Sequence, residues 1–261
     1  MDYFEIHLVE HCNLKCKACD NYSSIAEEEY LDIENFENDM KRMRELFSGI
    51  QLIRLLGGEP LLHPNLISFL HVIRKYFKIG ETNIRITTNA ILLHKMPEEF
   101  WEACHKNNIT IEYTYYPINI NRWEHRYLSE KYGVVLIPLD WDYTEEKTSH
   151  RMAVTDNKNE ELIEYNYNNC HRVLWKCISL KNGKIYPCSC IPNIYHFNKF
   201  FKKNLKVTEN DYISIYDHTA EEIDDFLKHP VPFCGYCNVK DRQFDNEWEV
   251  TKYDINEWYD K

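Results

Sequence analysis

Residues 3–19 read Tyr3-Phe4-Glu5-Ile6-His7-Leu8-Val9-Glu10-His11-Cys12-Asn13-Leu14-Lys15-Cys16-Lys17-Ala18-Cys19. The first half alternates apolar and polar residues, the period-two signature of a half-buried strand. Directly after it come three cysteines spaced C-x3-C-x2-C. A [4Fe–4S] cluster has four irons, so three thiolates leave one iron free to bind something other than protein. That open corner separates a catalytic cluster from a four-thiolate electron carrier. Zinc is the alternative, but structural zinc sites are closed by four ligands, usually in paired C-x2-C knuckles. The asymmetric triplet favours iron and sulfur.

The same alternation recurs further along, where Ile84 and Ile86 flank Arg85 and Thr87, and Ile111 and Tyr113 alternate with Glu112 and Thr114. Candidate strands at 3–10, 50–56, 82–88, 109–115 and 134–138 are separated by helical patterns. Ile33, Phe36, Met40, Met43 and Phe47 form one apolar stripe, and Leu66, Phe69, Leu70, Ile73 and Phe77 another. Pro97 opens a third helix with Phe100, Trp101 and Cys104 on one face, which makes Cys104 a core thiol. Strand–helix alternation implies parallel strands with right-handed crossovers. Parallel strands covered on both faces read continuously apolar. One polar face therefore predicts a curved sheet with helices outside and a polar lumen inside, suited to a hydrophilic ligand. Glu5 and His7 are lumen candidates. Arg54, Arg85 and Arg151 are candidates for gripping anionic or hydroxyl-rich groups, with salt bridges as the alternative.

At 261 residues and 44% hydrophobic, the chain supports one large domain or a large one with an appendage. No stretch reaches the apolar length of a membrane span, and the N-terminus lacks a secretory pattern. The ten cysteines are therefore expected in a reducing cytoplasm, as metal or catalytic thiols rather than disulfides. A net charge of −11 argues against nucleic acid as a partner. Two of only seven glycines are adjacent, Gly57 and Gly58, which marks a conformational need.

After about residue 141 the pattern changes. A polar stretch, Asp142 to Asn169, leads to Cys170, and two runs, Arg172–Leu180 and Lys184–Pro187, flank the hairpin signal Asn182-Gly183. Thr219-Ala220-Glu221-Glu222 reads as a capping box. The acidic, aromatic tail Asp245 to Lys261 is expected to form a helix docked by Trp248 and Trp258. These shifts place a boundary near 165, giving domains 1–165 and 166–261.

With the cysteine triplet after the first strand and Gly57-Gly58-Glu59-Pro60 after the second, residues 1–140 resemble the radical S-adenosylmethionine (SAM) superfamily. The resemblance implies an α/β fold, a partial (β/α)6 TIM-like barrel. It implies a [4Fe–4S] cluster on Cys12, Cys16 and Cys19 whose unique iron is chelated by SAM. Gly57, Gly58, Glu59 and Pro60 would line the methionine amine, with the Glu59 carboxylate offsetting the ammonium, and Thr88 and Asn89 would contact the ribose. Ala18 departs from the aromatic residue many members carry there, so an adenine contact at that position is not carried over.

Cys170-x12-Gly183-x4-Cys188 with Cys234-Gly235-Tyr236-Cys237 resembles the SPASM auxiliary-cluster pattern in its shorter twitch form, a β-hairpin plus helix. A second [4Fe–4S] cluster on Cys170, Cys188, Cys234 and Cys237 follows from that likeness, and the spacing is similar to that of members that dehydrogenate aminocyclitols. Cys177 and Cys190 fall off the pattern and are open to roles as ligand, core residue or hydrogen-atom donor. The implied activity is reductive cleavage of SAM and hydrogen abstraction from a small hydroxylated substrate such as a sugar, aminocyclitol or nucleotide sugar. Oxidation to a ketone or epimerisation would follow, with flavodoxin or ferredoxin as electron donor. Cys12 leaves no room ahead of the barrel for a precursor-binding module, which favours a small molecule. Peptide modification with recognition by a separate partner is the second enzyme reading, and a zinc scaffold at both cysteine groups is the reading of another class.

Overall fold

The computed structural model describes residues 1–139, 150–244 and 247–261. Asp142 to residue 149 of the polar stretch, and Asp245 of the tail, lie outside the described residues. The first part runs β1 (Tyr3–Val9), α1 (Ile33–Leu46), β2 (Leu52–Gly57), α2 (Leu66–Tyr76), β3 (Asn83–Thr88), α3 (Glu98–Lys106), β4 (Ile109–Tyr113), α4 (Arg122–Tyr132) and β5 (Leu136–Pro138). The second runs β6 (His150–Arg151), β7 (Val154–Thr155), α5 (Ile163–Asn169), α6 (His171–Leu174), β8 (Ser179–Lys181), β9 (Lys184–Tyr186), α7 (Cys190–Phe201), β10 (Ile213–Ser214), α8 (Ala220–Phe226), β11 (Gln243–Phe244) and β12 (Tyr259–Asp260).

One eight-stranded sheet has the order β10-β9-β8-β1-β2-β3-β4-β5. Its strands β1 to β5 are parallel neighbours, as a partial TIM-like barrel requires. The register puts Phe4, Ile53, Ile84 and Ile109 in one row and Glu5, Arg54, Arg85 and Thr110 in the next. The apolar rows are buried against Phe36, Met40, Met43, Phe69, Ile73, Phe100 and Trp101 of α1 to α3. Full burial of each such side chain contributes about 1.5–3 kcal/mol, so this face dictates which side of every strand carries helices. The polar rows are left to the inside. Cys104 is fully enclosed in that core, as its apolar helix face required.

The change in composition near 165 does not end the sheet. β8 pairs in parallel with β1, Glu5 opposite Ser179 and Ile6 opposite Leu180, so the hairpin is an extension of the barrel edge. Asn182 and Gly183 both take positive φ, 51° and 70°, the two-residue turn that matches strand twist. Residues 171–174 form a helix rather than the start of a long strand. A second core, built on Ile191, Ile194, Phe197, Phe233 and Trp258, also takes in Tyr22 and Ile25 from the cysteine loop.

The tail differs from its sequence expectation. Among its described residues the only helical turn is the 3-10 segment Ile255–Glu257. Glu249 and Thr251 pair instead with the cysteine loop, Lys17 N–H donating to Glu249 O at 2.9 Å and Thr251 N–H to Lys15 O at 2.8 Å. Unpaired backbone of the cysteine loop is satisfied this way, and helical periodicity gives no view of that demand. Trp258 still docks: it is buried and its Nε1 donates to Cys19 O at 3.0 Å. No helix among the described residues is long and apolar enough to cross a membrane.

Candidate active site

Cys12, Cys16 and Cys19 lie on the loop after β1, and the Gly57–Pro60 turn is packed against the entry to that loop. Gly58 N–H donates to Val9 O at 2.7 Å and Glu59 N–H to His11 O at 3.1 Å. A Cβ on Gly57 would sit 2.1 Å from Val9 O, and one on Gly58 1.9 Å from His11 O. The glycines are thus demanded by the chain's own backbone, before any cofactor is considered. The sequence reading assigned the close approach to SAM.

Glu59 also differs from its expected role. Its carboxylate is fully buried and accepts from Thr88 Oγ1 at 2.6 Å, Asn89 N at 2.8 Å and Leu61 N at 3.0 Å. Burial lifts its acid constant to about 7 against the pull of those three donors. A carboxylate with no exposed surface cannot meet an ammonium group. Its work is to tie the end of β2 to the end of β3, which leaves the backbone of Gly57, Gly58 and Glu59 as the candidate amine contact. Pro60 starts the 3-10 turn behind it.

Asn89 completes the tie, its Nδ2 donating to Asn13 Oδ1 at 2.7 Å and lying 3.5 Å from Cys12 Sγ. Leu14 N–H also points at Cys12 Sγ, at 3.3 Å. Cys16 Sγ donates to Tyr116 Oη at 3.7 Å, and the Tyr116 hydroxyl is pushed up by burial and then by Cys16, Cys19 and Cys12. One tyrosine therefore senses all three sulfurs. Ala18 and Tyr22 hold φ of 51° and 57°, a conformation L-residues rarely adopt away from functional loops.

The second cysteine group is gathered from three stretches: the α5–α6 junction, the β9–α7 turn and the 3-10 turn Pro232–Tyr236. Cys170, Cys188, Cys234 and Cys237 line one enclosed cavity together with Asn166 and Arg172. Asn166 Nδ2 donates to Cys234 O at 2.8 Å and Cys237 O at 2.7 Å, fastening that turn. Burial and then Cys190, ahead of the other sulfurs, push the Cys188 and Cys237 thiols up, and burial drives Cys234 to about 12. Buried sulfurs that oppose one another's ionisation call for a cationic centre to become thiolates, so the donor set fits an iron–sulfur group. Among the described residues no group of three or more His, Cys, Asp or Glu side chains is arranged to hold a single metal ion.

Cys190 is not part of that cavity lining. It is fully buried and shares a hydrogen bond with Tyr22 Oη at 3.1 Å. Its full burial sets it away from a substrate, while its sulfur weighs more than any other on Cys188 and Cys237, so it sits beside the second cysteine group. Cys177 is partly exposed; burial and then the charge of Glu5 push its thiol up to about 12.

The lumen carries a fixed polar floor. Buried Glu112 accepts from Arg54 Nη2 at 3.0 Å, Arg85 Nη1 at 2.7 Å and Thr87 Oγ1 at 2.9 Å. Glu5 accepts from Tyr3 Oη, and burial raises its carboxyl. His7 faces buried Glu10 through Nδ1 at 3.3 Å, while its Nε2 has no hydrogen-bond partner among the described residues. Glu10 is also held by His196 at 3.1 Å and Lys181 at 3.0 Å. Arg151 is committed elsewhere, to Asp260 and to the carbonyls of Asn256 and Tyr259. Sequence reading missed Asp20, Tyr22, Tyr116, Arg172 and His196, because each acts across more than 90 residues of chain.

Residues 6–164 match the family model described as the radical SAM superfamily. The chain belongs to that superfamily. Membership of the radical SAM superfamily implies a [4Fe–4S] cluster and SAM, and it makes this protein an enzyme of that class. GTP 3',8-cyclase of Trichodesmium erythraeum (strain IMS101) is 32% identical over 108 residues, 40% of this chain and 32% of that protein. The chain thus spans about a third of the length of the curated relatives it matches. Among solved structures, BtrN in complex with AdoMet and 2-DOIA superposes with a TM-score of 0.53 at 18% identity, covering 91% of this chain and 94% of that one. Native anSMEcpe with bound AdoMet gives 0.52 at 13% identity, covering 90% and 83%. These likenesses support the radical SAM barrel fold.

Proposed function

We propose that this radical SAM enzyme oxidises a small hydroxylated substrate, a sugar, aminocyclitol or nucleotide sugar, at one C–H bond. Cys12, Cys16 and Cys19 would hold the SAM-binding cluster, and Cys170, Cys188, Cys234 and Cys237 a second one. When bound, these groups supply reductive cleavage of SAM to methionine and a 5′-deoxyadenosyl radical, and an acceptor for the electron given up as an alcohol carbon becomes a carbonyl. The observation that carries the reading is the enclosed four-cysteine cavity beside a barrel whose inner face is polar.

The chain's own residues would do the rest. Arg54 and Arg85, oriented by Glu112, present N–H groups toward substrate oxygens. Glu5 and His7 are candidates to take the hydroxyl proton, and Thr88 and Asn89 frame the SAM side. Holding one C–H bond within reach of the radical and keeping water out is what a protein contributes to such chemistry. Cys177 supports epimerisation as the competing outcome, since it is only partly buried and lies near Glu5.

Anaerobically reconstituted protein should be incubated with SAM, reductant and carbon-deuterated sugars and aminocyclitols. Deuterium in 5′-deoxyadenosine and a carbonyl product support the proposal. Solvent hydrogen returned to carbon, lost in Cys177→Ala, would replace oxidation by epimerisation. Stoichiometric zinc without sulfide would end the enzyme chemistry.

A further inference from the structure

We infer that Arg172 is a positioning residue for the second cluster, which it holds at a raised reduction potential while fastening that site to the loop of the first. The inference rests on the two-cluster reading above. Arg172 is two residues past Cys170 and lines the four-cysteine cavity. It is only 4% exposed, and its Nε has no hydrogen-bond partner among the described residues. A buried guanidinium with an unspent N–H is costly unless something negative accepts it. Its Nη2 donates to Asp20 Oδ1 at 2.5 Å, one residue beyond Cys19.

Asn166, the other polar side chain in the cavity wall, spends its Nδ2 donors on Cys234 O and Cys237 O and leaves only an acceptor, Oδ1. Arg172 is therefore the cavity's cation and its available donor. Adding an electron to a four-thiolate cluster increases its negative charge. A fixed buried cation stabilises that reduced state, and hydrogen bonds and net charge are the levers by which proteins set such potentials. A raised potential suits an electron acceptor. Asp20 keeps the guanidinium in place and carries any shift of the Cys19 loop to it.

The test is redox titration of the reconstituted holoenzyme followed by electron paramagnetic resonance, with iron and sulfide counted per chain. Wild-type protein, Arg172→Gln, Arg172→Lys and Asp20→Asn would be compared. With about eight irons kept, Gln should shift reduction of the second cluster about tenfold toward the oxidised form, or about 59 mV for one electron. Lys should recover most of this, while the first cluster stays put. An unchanged second potential in Gln overturns the inference, as does loss of the second cluster's iron from both Gln and Lys. Wild-type protein with only about four irons would instead overturn the two-cluster reading itself.

Discussion

The Thr88 hydroxyl donates to the Glu59 carboxylate at 2.6 Å, joining the ends of two neighbouring parallel strands directly behind the cysteine loop. The pair converts a short motif into a rigid shelf. Asn89 extends it, reaching Glu59 through its backbone and Asn13 through its side chain.

Glu59 should make the metal-free protein sensitive to pH. Its acid constant is about 7 when folded, against 4.5 for the ordinary side chain, because burial disfavours the charge. A raised value means that its contribution is complete below pH 4.5 and is lost as pH rises through 7. The span corresponds to about 3 kcal/mol. Denaturant melts of Glu59→Gln should show a flatter dependence on pH than wild type across this window; parallel curves would contradict the assignment.

Replacing Cys12, Cys16 and Cys19 with Ala should abolish 5′-deoxyadenosine formation yet leave about four irons per chain on the remaining group. Chromatography of the nucleoside and iron analysis check both halves. SAM cleavage at the wild-type rate in this variant is the contrary result.

Cys188→Ala should lose about half of the iron, because a closed cubane takes four thiolates. Cys190→Ala should keep it, since the Cys190 sulfur is engaged by Tyr22 Oη at 3.1 Å. Iron retention in the first and loss in the second would exchange the two ligands.

Gly58→Ala should disturb the first site alone. The new methyl would meet His11 O at 1.9 Å, and backbone cannot step aside cheaply. A cost of about 3 kcal/mol is expected for such overpacking. Iron should fall by about half, with the second site's spectrum unchanged. Full loading would mean the loop tolerates the shift.

Glu112→Gln should weaken the lumen floor by leaving Arg54 and Arg85 without their shared charge. Breaking a buried ion pair costs about 3 kcal/mol, somewhat less here because both arginines keep some exposure. Thermal melts measure the loss, and substrate affinity should fall with it.

Much of the barrel was legible because its signals are local. Alternation in Phe4-Glu5-Ile6-His7-Leu8 names the face of a strand, and Phe36, Met40 and Met43 name the face of a helix, from side-chain direction alone. The cysteine triplet and the Asn182-Gly183 turn are equally local. The tail was misread because Trp248 and Trp258 carry no record of the backbone they serve; Glu249 and Thr251 are drawn into extended pairing by unpaired amides more than 230 residues earlier.

Sequence alone therefore determined the strand and helix order of residues 3–138, the polar face of its strands and the spacing of the cysteines, since each depends on neighbours within a few residues. Only the tertiary structure decided that Glu59 turns inward, that Cys190 bonds to Tyr22, and that Asp20 meets Arg172. Those outcomes follow from which distant polar groups share a water-poor space, and burial there makes an unmet charge or hydrogen bond too costly to keep.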